Sequence, residues 1–577
     1  MTDPAAPHAT ADVSNETGVM SSGPELGRRA GDRLANHRVG SHTRRRLGLF
    51  ASAGILAAAA LTFFGLFWVI DLAIQQHESA FSPAGFGVFF HFDIETLQNT
   101  LGSLAQIIVA VLGIAITVVS IVVQLAATRY SSHIANLFFR DRTNLAIMGF
   151  FVVACIDVVW VSLGVHTDFM PLASVVASLV VLTGSLLMLI PYFAYVFDFL
   201  DPARVIAQIG QSTLDAAIKR RPSQGKSVTA RHDVAATSLE RLADVAVNSV
   251  AQKDKVIASQ AVATLRDVLV SYLREKPRLP NKWFKVGERL RQDADFAVMA
   301  PESILQIEED QTWFEWKGLR QLRLVFAESL KSLPEVAHGV AVATRRIGEA
   351  AVAINDRKAI AAAIKFFNTY LRTALNASDV RSAYNVLNEY RHMTEEIMHS
   401  GMDGLTLQIA QHFKYYGQIA HAMGLGFVTE TAAYDLSVLC EKAFAQKALC
   451  HADLLQVFLE VDKEAETLAE EKALRGVRKA QVRLATYYMV NNEEALARTI
   501  FEDMRAETPL RLTSIRAELE AVDAKDFWEV TDRGINFDYL DPRRKAQLDA
   551  FFAWFGDLPR KVTRLTPAPG EPNPPIL

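Results

Sequence analysis

Residues 120–144 read SIVVQLAATRYSSHIANLFFRDRTN, an apolar run that breaks into arginines and leads back into apolar sequence. A turn on the cytoplasmic face of a membrane has this form, because Lys and Arg are retained on that flank while the runs on either side cross the bilayer. Within it, Tyr130, Ile134, Leu137 and Phe138 recur at helical spacing, and Arg129, His133, Asn136 and Arg140 fall elsewhere. That pattern predicts a short helix lying in the headgroup region. Arg129, Arg140 and Arg142 are the expected contacts to anionic lipid phosphates.

Working outward, four runs reach the roughly 20 apolar residues that a hydrocarbon core about 30 Å thick requires. They lie at about 47–70, 101–125, 144–164 and 172–196. Seven arginines precede the first run: Arg28, Arg29, Arg33, Arg38, Arg44, Arg45 and Arg46. The stretch from Asp71 to Thr100 has no Lys or Arg but carries Asp71, Glu78, Asp93 and Glu95, and GVHTDFMP between the last two runs is likewise free of cations. This asymmetry predicts a multi-pass membrane protein with both termini cytoplasmic. The first run is too long for the roughly 7–15-residue apolar core of a signal peptide.

Composition agrees. Of 577 residues, 50% are hydrophobic and 21% charged, at a formal net charge of −4, which excludes a global nucleic-acid footprint. The three cysteines, Cys155, Cys440 and Cys450, form neither a disulfide framework nor a zinc motif and suit a reducing compartment. Residues 1–46, rich in Ser, Gly, Pro, Ala and Arg, and 566–577, TPAPGEPNPPIL with its flank, are expected to be disordered tails around a transmembrane domain at 47–203 and a helical domain at 204–565.

The membrane part also resembles a bacterial family of predicted membrane proteins, a domain of unknown function. The resemblance rests on Gln124, Leu125, Ala126, Tyr130, Ser131, Phe139, Arg140 and Asp141, which follow that family's Gln-Leu-Ala-x-x-x-Tyr-Ser and Phe-x-Arg-Asp pattern. The chain departs from it at Ser132 and His133, and at Leu137 and Phe138. RVIAQIG at 204–210 and the segment 242–269 extend the likeness in a degraded form, so that it spans roughly 95–350. It implies a topology and no chemistry.

Beyond Arg204 the chain reads as helix after helix, as in VAATSLERLADVAVNSVAQ (234–252), RKAIAAAIKFFNTYLRTAL (357–375) and VRSAYNVLNEYRHMTEEIMH (380–399). The expected class is all-α, with the four-helix membrane region followed by an α-solenoid-like or bundle domain. One window, with Leu484, Ala485, Tyr488, Ala497, Phe501 and Pro509, fits a tetratricopeptide-type unit, but no 34-residue period repeats it. DADFAVMAP (293–301) is the single candidate for an extended segment, and 462–481 reads as a solvated helix face.

No GxxxxGK[ST], strand-placed GxGxxG, HExxH, GxSxG or CxxC occurs, so no catalytic residue and no cofactor is assigned. His392, Glu395, Glu396 and His399, with Glu335 and His338, have the helical spacing seen in carboxylate-bridged metal bundles, but the expected reading is exposed polar helix faces and no metal. In the second run Gly102, Gln106, Ala110, Gly113, Thr117, Ser120 and Gln124 share one stripe about 80° wide, suited to a helix interface within the subunit or between copies. Asp157 lies in the third run, with Gln106 or Thr117 as its expected hydrogen-bond partner unless it faces water. Two functions fit: a membrane-tethered scaffold or regulator that binds protein partners through its helical domain, and a channel or transporter gated by that domain.

Overall fold

The computed structural model describes residues 58–59, 62–71, 73, 94–129, 141–165, 171–199, 201–218, 228–461, 468–527 and 529–558. The tails at 1–46 and 566–577, most of the first apolar run and the 130–140 turn lie outside these residues. The chain divides into two compact units, 1–121 with 138–196, and 122–137 with 197–577. Among the described residues there is no strand.

The first unit holds α1 (Thr62–Asp71), α2 (Ile94–Arg129), α3 (Arg142–Gly164) and α4 (Leu172–Phe199). One end is packed from Leu97, Leu101, Val161, Val165 and Val175, and a second cluster joins Ile108, Ala154, Cys155 and Leu182. The first cluster unites the start of α2, the end of α3 and the start of α4, so these helices alternate in direction. Only a third or less of the apolar windows of α2, α3 and α4 is buried, leaving Ile114, Leu163, Val180, Leu187 and Ile190 exposed. Apolar faces on that scale need a non-aqueous cover, and a bilayer supplies it.

Lys255–Arg278 is a fourth helical stretch long and apolar enough to cross a membrane. It is a core helix instead: Ala258, Ala261, Val262, Leu265, Leu269, Tyr272 and Leu273 are buried by protein, while Lys255, Arg266, Asp267 and Arg274 hold its other faces.

The second unit opens with α5 (Pro202–Ile218), α6 (Val228–Ala251) and α7 (Lys255–Glu275), which pack together. After α8 (Pro301–Glu309) come α9 (Trp313–Ser329), α10 (Pro334–Ala353), α11 (Arg357–Asn376), α12 (Val380–His399), α13 (Asp403–Ala422), α14 (Gly426–Gln446) and α15 (His451–Leu459). The array ends in α16 (Leu468–Val490), α17 (Glu494–Met504) and α18 (Pro509–Ala521). Helices α7, α10, α12, α14 and α16 stack side by side in one layer, and α9, α11, α13 and α15 form the layer behind it.

A local device sets this stack. Helices α10 to α14 begin 23 residues apart, at Pro334, Arg357, Val380, Asp403 and Gly426. The turns after α11 and α10 place Ser378 (φ 53°) and Asn355 (φ 54°) in the left-handed region, and Gly401 and Gly424 (φ 71° and 72°) do so after α12 and α13. The next N–H then closes a Schellman bond, as Asp356 N to Ala351 O and Asp379 N to Ala374 O, both 2.9 Å. The same aspartates cap the following helix, Asp356 accepting from Lys358 and Ala359 N–H and Asp379 from Ser382 N–H. One residue thus ends a helix and starts the next, and two steps make a 46-residue pair, within the range of helical-repeat solenoids.

The tetratricopeptide-type window forms α16 and α17, with Leu484, Ala485, Tyr488 and Ala497 fully buried and Pro509 opening α18. Residues 293–301 are not extended. Asp293 caps a helical turn at Ala294–Ala297, and both Asp293 and Asp295 are drawn to Lys317, a tertiary attraction that local propensity does not express. Of the 462–481 run, residues 462–467 and the side chains of 468–473 lie outside the described residues; the remainder is not a solvated face, because Leu474, Val477 and Ala480 are buried and Arg478 pairs with Asp503 and Glu507.

Candidate functional site

Polar side chains in the membrane unit serve first to join helices. The Asp71 carboxylate accepts from Ala173 N–H (2.8 Å) and from Ser174 N–H (3.0 Å) and hydroxyl, capping α4. At the other end Asp141, of the Phe-x-Arg-Asp pattern, caps α3 through Thr143 and Asn144 N–H and accepts from the Tyr195 hydroxyl, while Tyr192 donates to Asn144. Asp157 is 1% exposed and accepts from Ser178 of α4 at 2.5 Å, not from Gln106 or Thr117. Those two lie on the far side of α2, and Thr117 donates to Gly113 O one turn back.

The small and polar stripe of α2 is nearly opposite its packed face. Leu97, Leu101, Ile108, Ala115, Val119 and Val123 are buried, whereas Gln106, Ala110, Gly113, Thr117, Ser120 and Gln124 are exposed and Gly102 is half-buried. A Cβ at Gly102 or Gly113 would meet nothing within 4 Å. Arg142 is exposed at the start of α3; the Arg129 side chain and Arg140 lie outside the described residues.

The metal candidates do not converge. His338 lies 3.4 Å from Glu389, His392 lies 3.7 Å from Glu395, and Glu335, Glu396 and His399 are exposed. Among the described residues, the carboxylates that gather with metal-like spacing are Glu240, Asp293 and Asp295. The Lys317 ammonium, 0% exposed, sits among all three, at 2.6 Å from Asp293 and 2.7 Å from Asp295. It occupies the place a cation would take.

The richest chemistry lies on the α12–α14–α16 face. Carboxylate–arginine pairs link neighbouring helices along the layer: Arg345 Nε to Glu389 at 2.6 Å, Arg391 Nε to Asp435 at 3.0 Å and Arg483 to Glu441 at 2.8 Å. Burial works against the Glu389 charge, but hydrogen bonds from His338 and Arg345 and the Arg345 charge hold its carboxyl at about 2. Glu441 is likewise held below the usual glutamate range despite burial, by the charges and hydrogen bonds of Arg483 and Arg544.

Across this face runs a strap, residues 522–541, without regular structure at its described residues 522–527 and 529–541. Its Asp532 accepts from Asn385 of α12 at 2.7 Å, and its Asp538 accepts from Lys479 of α16 at 2.7 Å. Arg533, between them, reaches Asp435 at 2.7 Å and donates to Tyr384 O at 2.5 Å, with its guanidinium 4.2 Å from the Tyr384 ring. Phe537 stacks on Tyr434 at 3.9 Å. Just beyond the strap, Arg544 forks onto Glu441, both bonds 2.9 Å, over the ring of Tyr487. The face therefore offers two arginine sockets, the buried Asp435 and the half-buried Glu441, each beside an aromatic ring, a combination that binds a planar guanidinium through charge and stacking together.

No motif search reveals these sockets, because Tyr384, Asp435 and Arg533 are distant in sequence. The accessible signal was the 23-residue recurrence of Asn355-Asp356, Ser378-Asp379, Gly401 and Gly424, which places α12 and α14 in one layer.

Fold and site together define an all-helical membrane protein carrying a layered helical array. Residues 44–277 match the model of DUF2254, a family described as predicted membrane protein, of unknown function. The match includes the first apolar run and stops at the end of α7, so it begins earlier and ends sooner than the 95–350 span of the sequence likeness; the array from α8 onward lies outside it. Comparison with curated proteins and with solved structures yields no match.

Proposed function

We propose that the chain is a membrane-tethered scaffold or regulator whose helical array binds protein partners. The observation that carries this reading is the α12–α14–α16 face, where fixed carboxylates and aromatic rings already hold an extended segment through side-chain contacts. Stacked helix pairs present such surfaces commonly. The reading places both termini on the cytoplasmic side of a bacterial inner membrane, from the arginines before the first span and in the 126–143 turn. It also assigns the α2 stripe to an interface with a second copy, since the stripe faces away from α3 and α4 and its small residues allow close helix approach.

The test is a photoreactive residue at Phe427, 39% exposed beside the strap, against one at Tyr415 on the rear layer. A defined adduct at Phe427 alone, reproduced with the purified partner, supports the scaffold. Ion flux in liposomes that is lost in Asp157→Asn, with no adduct at Phe427, would replace it by a transport reading. Topology is checked separately: a cysteine at Ser79 should react with an impermeant thiol reagent in spheroplasts, and one at Ser131 should not.

A further inference from the structure

We propose that the strap at 522–541 is a releasable internal ligand, and that the face it covers binds in trans an extended peptide carrying an arginine four residues before an aromatic residue. The spacing is that of Arg533 and Phe537, which meet Asp435 at 2.7 Å and the Tyr434 ring at 3.9 Å. This rests on the scaffold reading and specifies what the array recognises.

Three features separate the strap from a merely structural loop. Its backbone closes on itself, Asn536 N–H to Lys525 O at 2.9 Å and Gly534 N–H to Thr531 O at 3.2 Å, while its grip on the helices comes through side chains. Such a segment can lift without unpairing any helix. A cavity of about 670 Å³, open to solvent, lies beside it, lined by Tyr384, Phe427 and Phe537 and by the polar Arg381, Glu430 and Asp532.

The third feature is electrostatic. A carboxylate left buried and alone is costly, which would normally fix its partner in place. Asp435, 0% exposed, also holds Arg391 at 3.0 Å and is not left alone when Arg533 departs, while Arg544, outside the strap, stays on Glu441. The Asp435 socket thus retains a resident cation from its own layer when vacated, although Asp435 shares that cation with Glu395. The vacated socket has room and negative charge for a second guanidinium.

The experiment uses the full chain in lipid nanodiscs and a fluorescent peptide of residues 529–540, EVTDRGINFDYL. Arg533→Glu with Phe537→Ala lies wholly in the strap and leaves the sockets intact. This variant should bind the peptide at least about tenfold more tightly than the unaltered chain, and a peptide with glutamate in place of its arginine should not bind. Unchanged weak binding by a variant whose helical array melts normally would overturn the proposal. Hydrogen exchange on the unaltered chain decides the matter if the variant does not fold. Strap amides should exchange about 100-fold faster than those in the middle of α12 and α14, and exchange of both only through a common global opening would overturn it. Partner adducts elsewhere on the array, with no peptide binding here, would leave the scaffold reading standing and remove this one.

Discussion

Arg533 reaches Asp435 at 2.7 Å across 98 residues of sequence, and Asp435 simultaneously accepts from Arg391 at 3.0 Å. The two cations are not equivalent to their shared anion. Losing Arg533 leaves a buried ion pair, whereas losing Asp435 leaves two arginines facing each other.

Asp435→Ala should therefore destabilise the helical domain by about 3–5 kcal/mol, and Arg533→Ala by about 1–2 kcal/mol. Chemical denaturation of the two variants, followed by circular dichroism, checks the order. Equal losses would mean that Arg391 does not hold Asp435 independently.

Glu389 predicts an acid limb. Its folded carboxyl sits at about 2, below the unfolded value near 4.5, so the unfolded state binds the extra proton between those values. Its contribution, on the order of 2–3 kcal/mol, is present above pH of about 4.5 and is lost as pH falls through about 2. The stability difference between the unaltered chain and Glu389→Gln should be flat above pH of about 5 and close toward pH of about 2; a difference independent of pH would contradict the pairing.

Lys317 bridges Glu240, Asp293 and Asp295 from within the core, and Arg320 adds a second cation at Asp295, 3.0 Å away. Lys317→Met leaves three carboxylates in mutual repulsion and should cost about 3–5 kcal/mol at neutral pH. Mutual repulsion costs less once a carboxylate is protonated, so the variant should recover stability in acid. A millimolar divalent cation should stabilise the variant and leave the unaltered chain unchanged, read as a shift in Tm. No response to either acid or cation would show that the three groups do not act together.

On α2, Gly113→Leu adds bulk to a face that nothing in the described residues of the same chain touches. It should leave the fold of a single copy intact and shift the detergent-solubilised mass toward one subunit, measured by light scattering. An unaltered mass, with the unaltered chain itself oligomeric, would move the interface away from the stripe.

The sequence alone determined the long apolar helices α2, α3 and α4, because a bilayer demands unbroken apolar runs. It also determined the all-helical class, because apolar residues at three- and four-residue spacing bury only as helices. The 23-residue turn device was present in it too, as Asn355-Asp356 and Ser378-Asp379, since left-handed turns and N-caps are local matters. Only tertiary structure decided which polar residues matter. Asp157 pairs with Ser178 and not with Gln106 because the face of α2 that meets its neighbours is the apolar one. Residues 293–301 turn toward Lys317 because a buried ammonium outweighs weak extended propensity. The arginine sockets of Asp435 and Glu441 join helices and a strap far apart in the chain; their partners are chosen by desolvated charge at short distance, a quantity that sequence spacing does not contain.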